Sequence, residues 1–169
     1  AGGGILSSVD QVRRTPLETL VGLLERRCDD FLLGGTTTAE AKSGYGLSTE
    51  SEVRSLEAIR AVASRHPLEL VPTFLGAHEY PREFRASPQA KADYVRLLCD
   101  EMIPAVAAKG LAEFCDVFCE SHVFDVESSA RILETGRRHG LRTKIHADEL
   151  TPCGGAELAA RLGATSADH

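Results

Sequence analysis

"TKIHADELTPCGG", residues 143–155, carries the reading that decides the fold. It opens as a short strand around Thr143 and Ile145, and it ends on His146, Asp148 and Glu149 before "TPCGG" turns the chain. An imidazole and two carboxylates therefore stand where a buried strand gives way to a loop. Other short apolar segments have the same form: "TTTAEAKSG" (36–44), "LELVPTFLGAH" (68–78), "CDVFCE" (115–120) and "ATSADH" (164–169). Each is too short for a helix, and several carry the β-branched residues that suit strands.

Longer amphipathic stretches separate these segments. Leu17, Leu20, Val21, Leu24, Cys28, Phe31 and Leu32 follow the spacing of one helix face, and Gly34 and Gly35 supply a stop. Residues 51–66 repeat the scheme with Val53, Leu56, Ile59 and Ala63 inside. "SPQAKADYVRLLCDEMIPAVAAKG" (87–110) predicts the longest helix, and "DVESSARILETGRRHG" (125–140) predicts another, with Asp125 as its cap and Gly140 as its end. Alternation of strand and helix implies a parallel sheet with right-handed crossovers.

Such a sheet is either open or closed into a barrel. The GxGxxG fingerprint of a dinucleotide fold is absent, and "AGGGI" (1–5) reads as a loop. The strand ends favour the barrel. Lys42 to Tyr45, Gly76 to His78, Cys119 and Glu120, His146 to Glu149, and Asp168 with His169 all place chemistry-bearing groups at the C-terminal end of a strand. A barrel gathers those ends on one face, where its active site is built.

The totals fit a soluble globular chain: 43% of residues are hydrophobic, 26% are charged, and no apolar run nears the ~20 residues of a membrane span. A net charge of −6 without a basic stripe argues against nucleic acid as a partner. Five cysteines without a CxxC pair argue against a zinc ribbon or a disulfide framework. They read as reduced thiols of a cytoplasmic protein. The chain opens on Ala1 and closes on an apolar strand, so it is expected to be a piece of a longer one.

"AGGGI", "GGTTTAEAKSGYGLSTESE", "PTFLGAHEYP", "DVFCES", "KIHADEL" and "GGAELAARLGATSADH" together cover nearly the whole chain. In these segments it resembles the imidazolonepropionases, metal-dependent amidohydrolases that open an imidazolone ring in histidine breakdown. The resemblance implies a partial (β/α)₈ TIM barrel of the amidohydrolase type with about five βα units. Residues 1–169 would be the central part of the barrel domain. The first strand with its HxH metal pair, the last strand with its aspartate, a small β domain and the arginine expected to grip a carboxylate would lie elsewhere.

Site roles also follow from the resemblance. His146 corresponds to the metal-binding histidine of the fifth barrel strand, and Glu149 to the proton shuttle. His169 corresponds to the histidine after the sixth strand that steadies the developing oxyanion. Tyr45 and His78 correspond to substrate-holding residues, and Asp148 is left to orient the turn. The implied reaction is hydrolysis of 4-imidazolone-5-propanoate to N-formimidoyl-L-glutamate with one divalent metal ion, Zn or Fe. The intact protein is expected to be a homodimer acting on a small molecule, with no membrane partner. A cytosine-deaminase-like amidohydrolase would share His146, Glu149 and His169 but has less reason to carry Tyr45 and His78. A non-catalytic barrel fragment is the remaining alternative.

Overall fold

In a computed structural model, residues 5–169 are described, and the period-two pattern of Phe114–Cys119 explains how they pack. Cys115, Val117 and Cys119 join the apolar core beneath the helices. Asp116 points the other way, toward Lys42 and His146. A strand sends alternate side chains to opposite faces, so the sheet has one apolar face and one polar face. The polar face is the concave one.

Five parallel strands run in chain order: β1 (Thr38–Lys42), β2 (Glu69–Ala77), β3 (Phe114–Cys119), β4 (Arg142–Ala147) and β5 (Ser166–Asp168). Helices α1 (Ile5–Arg14) and α2 (Leu17–Leu33) precede β1, and α3 (Thr49–Ala63) links β1 to β2. Helices α4 (Pro88–Leu97) and α5 (Ile103–Ala108) lead to β3, followed by α6 (Val126–Arg138) and α7 (Gly155–Leu162). Among the described residues, no helix is long and apolar enough to cross a membrane.

One contact fixes the curvature. Lys42 on β1 reaches Asp168 on β5 at 3.1 Å, although these are the two outer strands. With neighbours ~4.8 Å apart, a flat sheet would hold them ~19 Å apart, beyond the reach of a lysine and an aspartate together. The sheet must therefore curl into a half-barrel. The expected α/β architecture of a partial barrel is what the chain adopts.

Caps and breaks follow local chemistry. Ser48 and Asp125 accept hydrogen bonds from the first turns of α3 and α6. The expected single helix over 87–110 is instead interrupted at Leu98–Met102 by a π turn. Pro104 has no N–H to donate to the preceding turn and its ring crowds that turn, so the ladder widens just before it. Of "AGGGI", residues 1–4 lie outside the described part, and Ile5 begins α1.

Candidate active site

The Tyr45 loop is held from two sides. Glu52, fully buried in the first turn of α3, accepts the N–H groups of Gly44, Gly46 and Leu47 at 2.7–2.8 Å. Arg13 of α1 donates to the carbonyl oxygens of Gly46 and Leu47. The backbone leaves no choice of residue at two positions. Gly44 has φ +106, and a Cβ there would meet the Leu75 carbonyl oxygen at 2.6 Å; one on Gly46 would meet Ser51 at 2.4 Å. Buried Leu47 is also held at φ 52, where a branched side chain is rare. The result is a rigid platform that carries an exposed Tyr45 ring.

His78, at the end of β2, packs edge-on against that ring at 5.0 Å. Its Nδ1–H donates to the Gly44 carbonyl at 3.0 Å, which leaves Nε2 as the acceptor. Burial lowers the His78 pKa and nearby His146 adds to the effect, against the opposing hydrogen bond to Gly44. This ring is kept neutral at pH 7.

Deeper in the concave face lies a charged cluster built by one parity of four of the strands. Lys42 (β1), Asp116 (β3), His146 (β4) and Asp168 (β5) all point inward. The Lys42 ammonium lies 2.7 Å from Asp116 and 3.1 Å from Asp168. One row below, Glu40 meets Lys144 at 3.0 Å and accepts from the Thr73 hydroxyl. Burial opposes the charge on Lys42, but Asp116, Asp168 and Glu40 together outweigh it and the lysine pKa stands raised. For Asp168, burial is likewise outweighed by Lys42, Ser166 and His146 together, and its pKa is lowered.

His146 links this cluster to the rim, with Nδ1 at 3.1 Å from Asp116. Its ring lies 6.4 Å from that of His78 and 5.4 Å from that of His169. His169 Nε2 in turn faces Glu149 Oε2 at 3.7 Å. Tyr45, His78, His146, His169 and Glu149 thus form one unbroken series of neighbours at the C-terminal ends of the strands. Beside it, between α1, α2, α3 and β1, a cavity of about 520 Å³ has Lys42, Ser43 and Tyr45 on its wall.

Two other strand-end carboxylates are structural. Glu120 is buried and accepts from the Thr151 hydroxyl and from the N–H groups of Ser121, Leu150 and Thr151. These bonds depress its pKa to about 2 and tie the loop after β3 to the loop after β4. Asp148 stands at φ 57, a conformation aspartate tolerates, and accepts the N–H groups of Ala156, Cys153, Gly154 and Gly155. Its pKa also falls to about 2, chiefly through Ala156 and Cys153. It seats α7, as the expectation of a turn-orienting role required.

Sequence reading missed Asp116 and gave Lys42 and Asp168 only as strand-end polar groups. The signal was parity. Glu40 and Lys42, Lys144 and His146, and Ser166 and Asp168 are pairs two apart in strands, so each pair shares a face.

A metal can be tested against these donors. Asp116, His146 and Asp168 offer ligand atoms within 4.8 Å of one another. Lys42 already stands between the two carboxylates, whereas His146 Nε2 has no protein partner among the described residues. The imidazole therefore fits as one metal ligand. A catalytic zinc ordinarily takes three protein ligands, so a metal held by this imidazole would need further ones.

No family model matches the chain. Curated proteins do. An imidazolonepropionase of Alkaliphilus metalliredigens is 51% identical over 168 residues, covering 99% of this chain and 39% of that protein. This chain is similar to the imidazolonepropionases along its whole length. Imidazolonepropionases of Geobacillus kaustophilus and Halobacterium salinarum are 53% and 55% identical, over 100% and 99% of this chain. The chain spans 39% of the length of each of these imidazolonepropionases. Among solved structures, a magnesium-bound dipeptide epimerase of Methylococcus capsulatus matches 91% of this chain and 52% of its own at 16% identity, with a TM-score of 0.30.

Proposed function

We propose that residues 1–169 form the central part of the barrel domain of an imidazolonepropionase, hydrolysing 4-imidazolone-5-propanoate to N-formimidoyl-L-glutamate. The observation that carries this reading is the convergence of Tyr45, His78, His146, His169 and Glu149, from four separate strand ends, on one rim of the half-barrel. The identity of about half the residues to imidazolonepropionases supports it.

In this proposal His146 holds a divalent metal, zinc or iron, through Nε2. When bound, the metal lowers the pKa of water and polarises the ring carbonyl. Glu149 takes a proton from the attacking water as its oxygen bonds to the carbonyl carbon. It then delivers that proton to the ring nitrogen as the C–N bond breaks, so one group serves as base and then acid. His169, within 3.7 Å of Glu149, is placed to donate to the oxygen on which negative charge develops. Tyr45 and His78 grip the substrate, with the neutral His78 ring offering Nε2 to an N–H or O–H donor.

A homodimeric intact protein and cytoplasmic residence follow from the same resemblance. All five cysteines are unpaired, which agrees with a reducing compartment. The test uses the complete protein that carries this segment, assayed on 4-imidazolone-5-propanoate and on cytosine. Turnover of the imidazolone with none of cytosine is expected. Deamination of cytosine without ring opening of the imidazolone would overturn the proposal.

A further inference from the structure

The concave face holds a carboxylate and an ammonium that the proposed chemistry does not use. Asp116 is fully buried, and its oxygens are taken up by Lys42 at 2.7 Å, by His146 Nδ1 at 3.1 Å and by the Val117 N–H at 2.8 Å. A carboxylate offers only lone pairs, so the ring nitrogen facing it must carry the hydrogen. A neutral imidazole with its hydrogen on Nδ1 has its other nitrogen bare, and a bare ring nitrogen is what binds a metal or accepts a proton. Lys42 makes this arrangement durable. Its ammonium also spans to Asp168 at 3.1 Å, which draws β1, β3 and β5 together beneath the ring.

The same contact decides between two places for a cation. Asp116, His146 and Asp168 are close enough to chelate one together. The place between their carboxylates, however, already holds the positive charge of Lys42. A dication seated there would confront that ammonium at short range, where repulsion in a partly buried site is severe. The other side of the His146 ring, toward His78 and His169, carries no such charge.

We infer that Lys42 and Asp116 are positioning residues for His146: Asp116 fixes the ring with Nδ1–H inward and Nε2 toward the rim, and Lys42 is the built-in cation that steers any divalent metal to Nε2. This inference rests on the proposal that His146 is a metal ligand, and it adds two residues to which no role had been given. Neither touches substrate in this scheme; both act through the imidazole.

The test is ¹⁵N NMR of the histidine rings in the metal-free complete protein, with His146 assigned by the signal lost in His146→Gln. Affinity for Zn²⁺, used as the probe ion, is measured alongside by chelator competition. The wild type is expected to show His146 as the Nδ1–H tautomer. Asp116→Asn, whose amide can turn either an oxygen or an NH₂ to the ring, is expected to populate the Nε2–H form. It should weaken Zn²⁺ by about 10–100-fold, the usual effect of losing a partner that orients a metal-binding histidine. Lys42→Met, which removes the ammonium from between Asp116 and Asp168, should open that place to Zn²⁺ and raise its affinity more than twofold instead of lowering it.

A residue of purely structural importance would lower the melting temperature and leave the tautomer alone. An Nε2–H tautomer in the wild type overturns the inference, even if neither variant folds. So does an unchanged tautomer with Zn²⁺ affinity within twofold in a folded Asp116→Asn protein, or Zn²⁺ affinity raised by no more than twofold in a folded Lys42→Met protein. Turnover of the imidazolone is scored separately. Its absence, with the tautomer and the Zn²⁺ results as expected, would remove the functional proposal and leave the positioning of His146 standing.

Discussion

Glycine at position 44 has two independent reasons to be there. Its φ of +106 excludes ordinary side chains, and the Leu75 carbonyl oxygen stands 2.6 Å from where a Cβ would lie. Gly44→Ala is therefore expected to destabilise the protein by roughly 1–3 kcal/mol, the range for a residue forced into a sparsely populated conformation. It should also raise KM more than it lowers kcat, because Tyr45 and His78 both hang on this backbone. Urea melts and steady-state kinetics measure the two effects; an unchanged KM would separate the platform from substrate binding. "KSGYGL" was legible in sequence as a motif, but its cause was not. The carboxylate that organises it, Glu52, lies in the next helix and reads there as an ordinary surface position of an amphipathic pattern.

At the scale of elements, the carboxylate that ends β4 seats the helix that follows. Asp148 has its pKa depressed to about 2 by four backbone N–H groups around the start of α7. A carboxyl depressed in the folded state stabilises fully above its ordinary range near ~4, and that contribution is lost as pH falls through the folded value. The melting temperature of Asp148→Asn should accordingly lie below that of the wild type at pH 6, and the gap should close on the way down to about pH 2. A gap independent of pH would mean that charge at the helix start contributes nothing. The strand and helix order was readable from periodicity, since each β segment is short and each helix amphipathic. The π turn before Pro104 was not, because the pattern of apolar residues passes through it unbroken. Nor was the polar concave face: in "CDVFCE" a single aspartate between apolar neighbours looks like an interruption, until the curl of the sheet supplies Lys42 and His146 as partners.

For the molecule as a whole, five strands in chain order leave the outer edges of β1 and β5 unpaired among the described residues. Phe31 and Leu33 of α2 stand exposed, and a cavity opens beside β1. Unpaired edges and uncovered apolar side chains invite association. The 169-residue chain on its own is thus expected to form concentration-dependent oligomers in sedimentation experiments and to lack hydrolase activity, since the metal proposed on His146 would need further protein ligands. A monodisperse monomer with stoichiometric metal and turnover would contradict this.

The central claim is that side chains scattered from Tyr45 to His169 serve one reaction centre, with Glu149 moving the proton. Its most direct test is the steady-state hydrolysis of 4-imidazolone-5-propanoate by the complete protein and by its Glu149→Gln variant. The neutral amide should lower kcat by about 10²–10⁴-fold with KM nearly unchanged, the usual effect of removing a positioned acid–base group. A kcat within a few-fold of the wild type would place the proton transfer elsewhere and contradict the assignment.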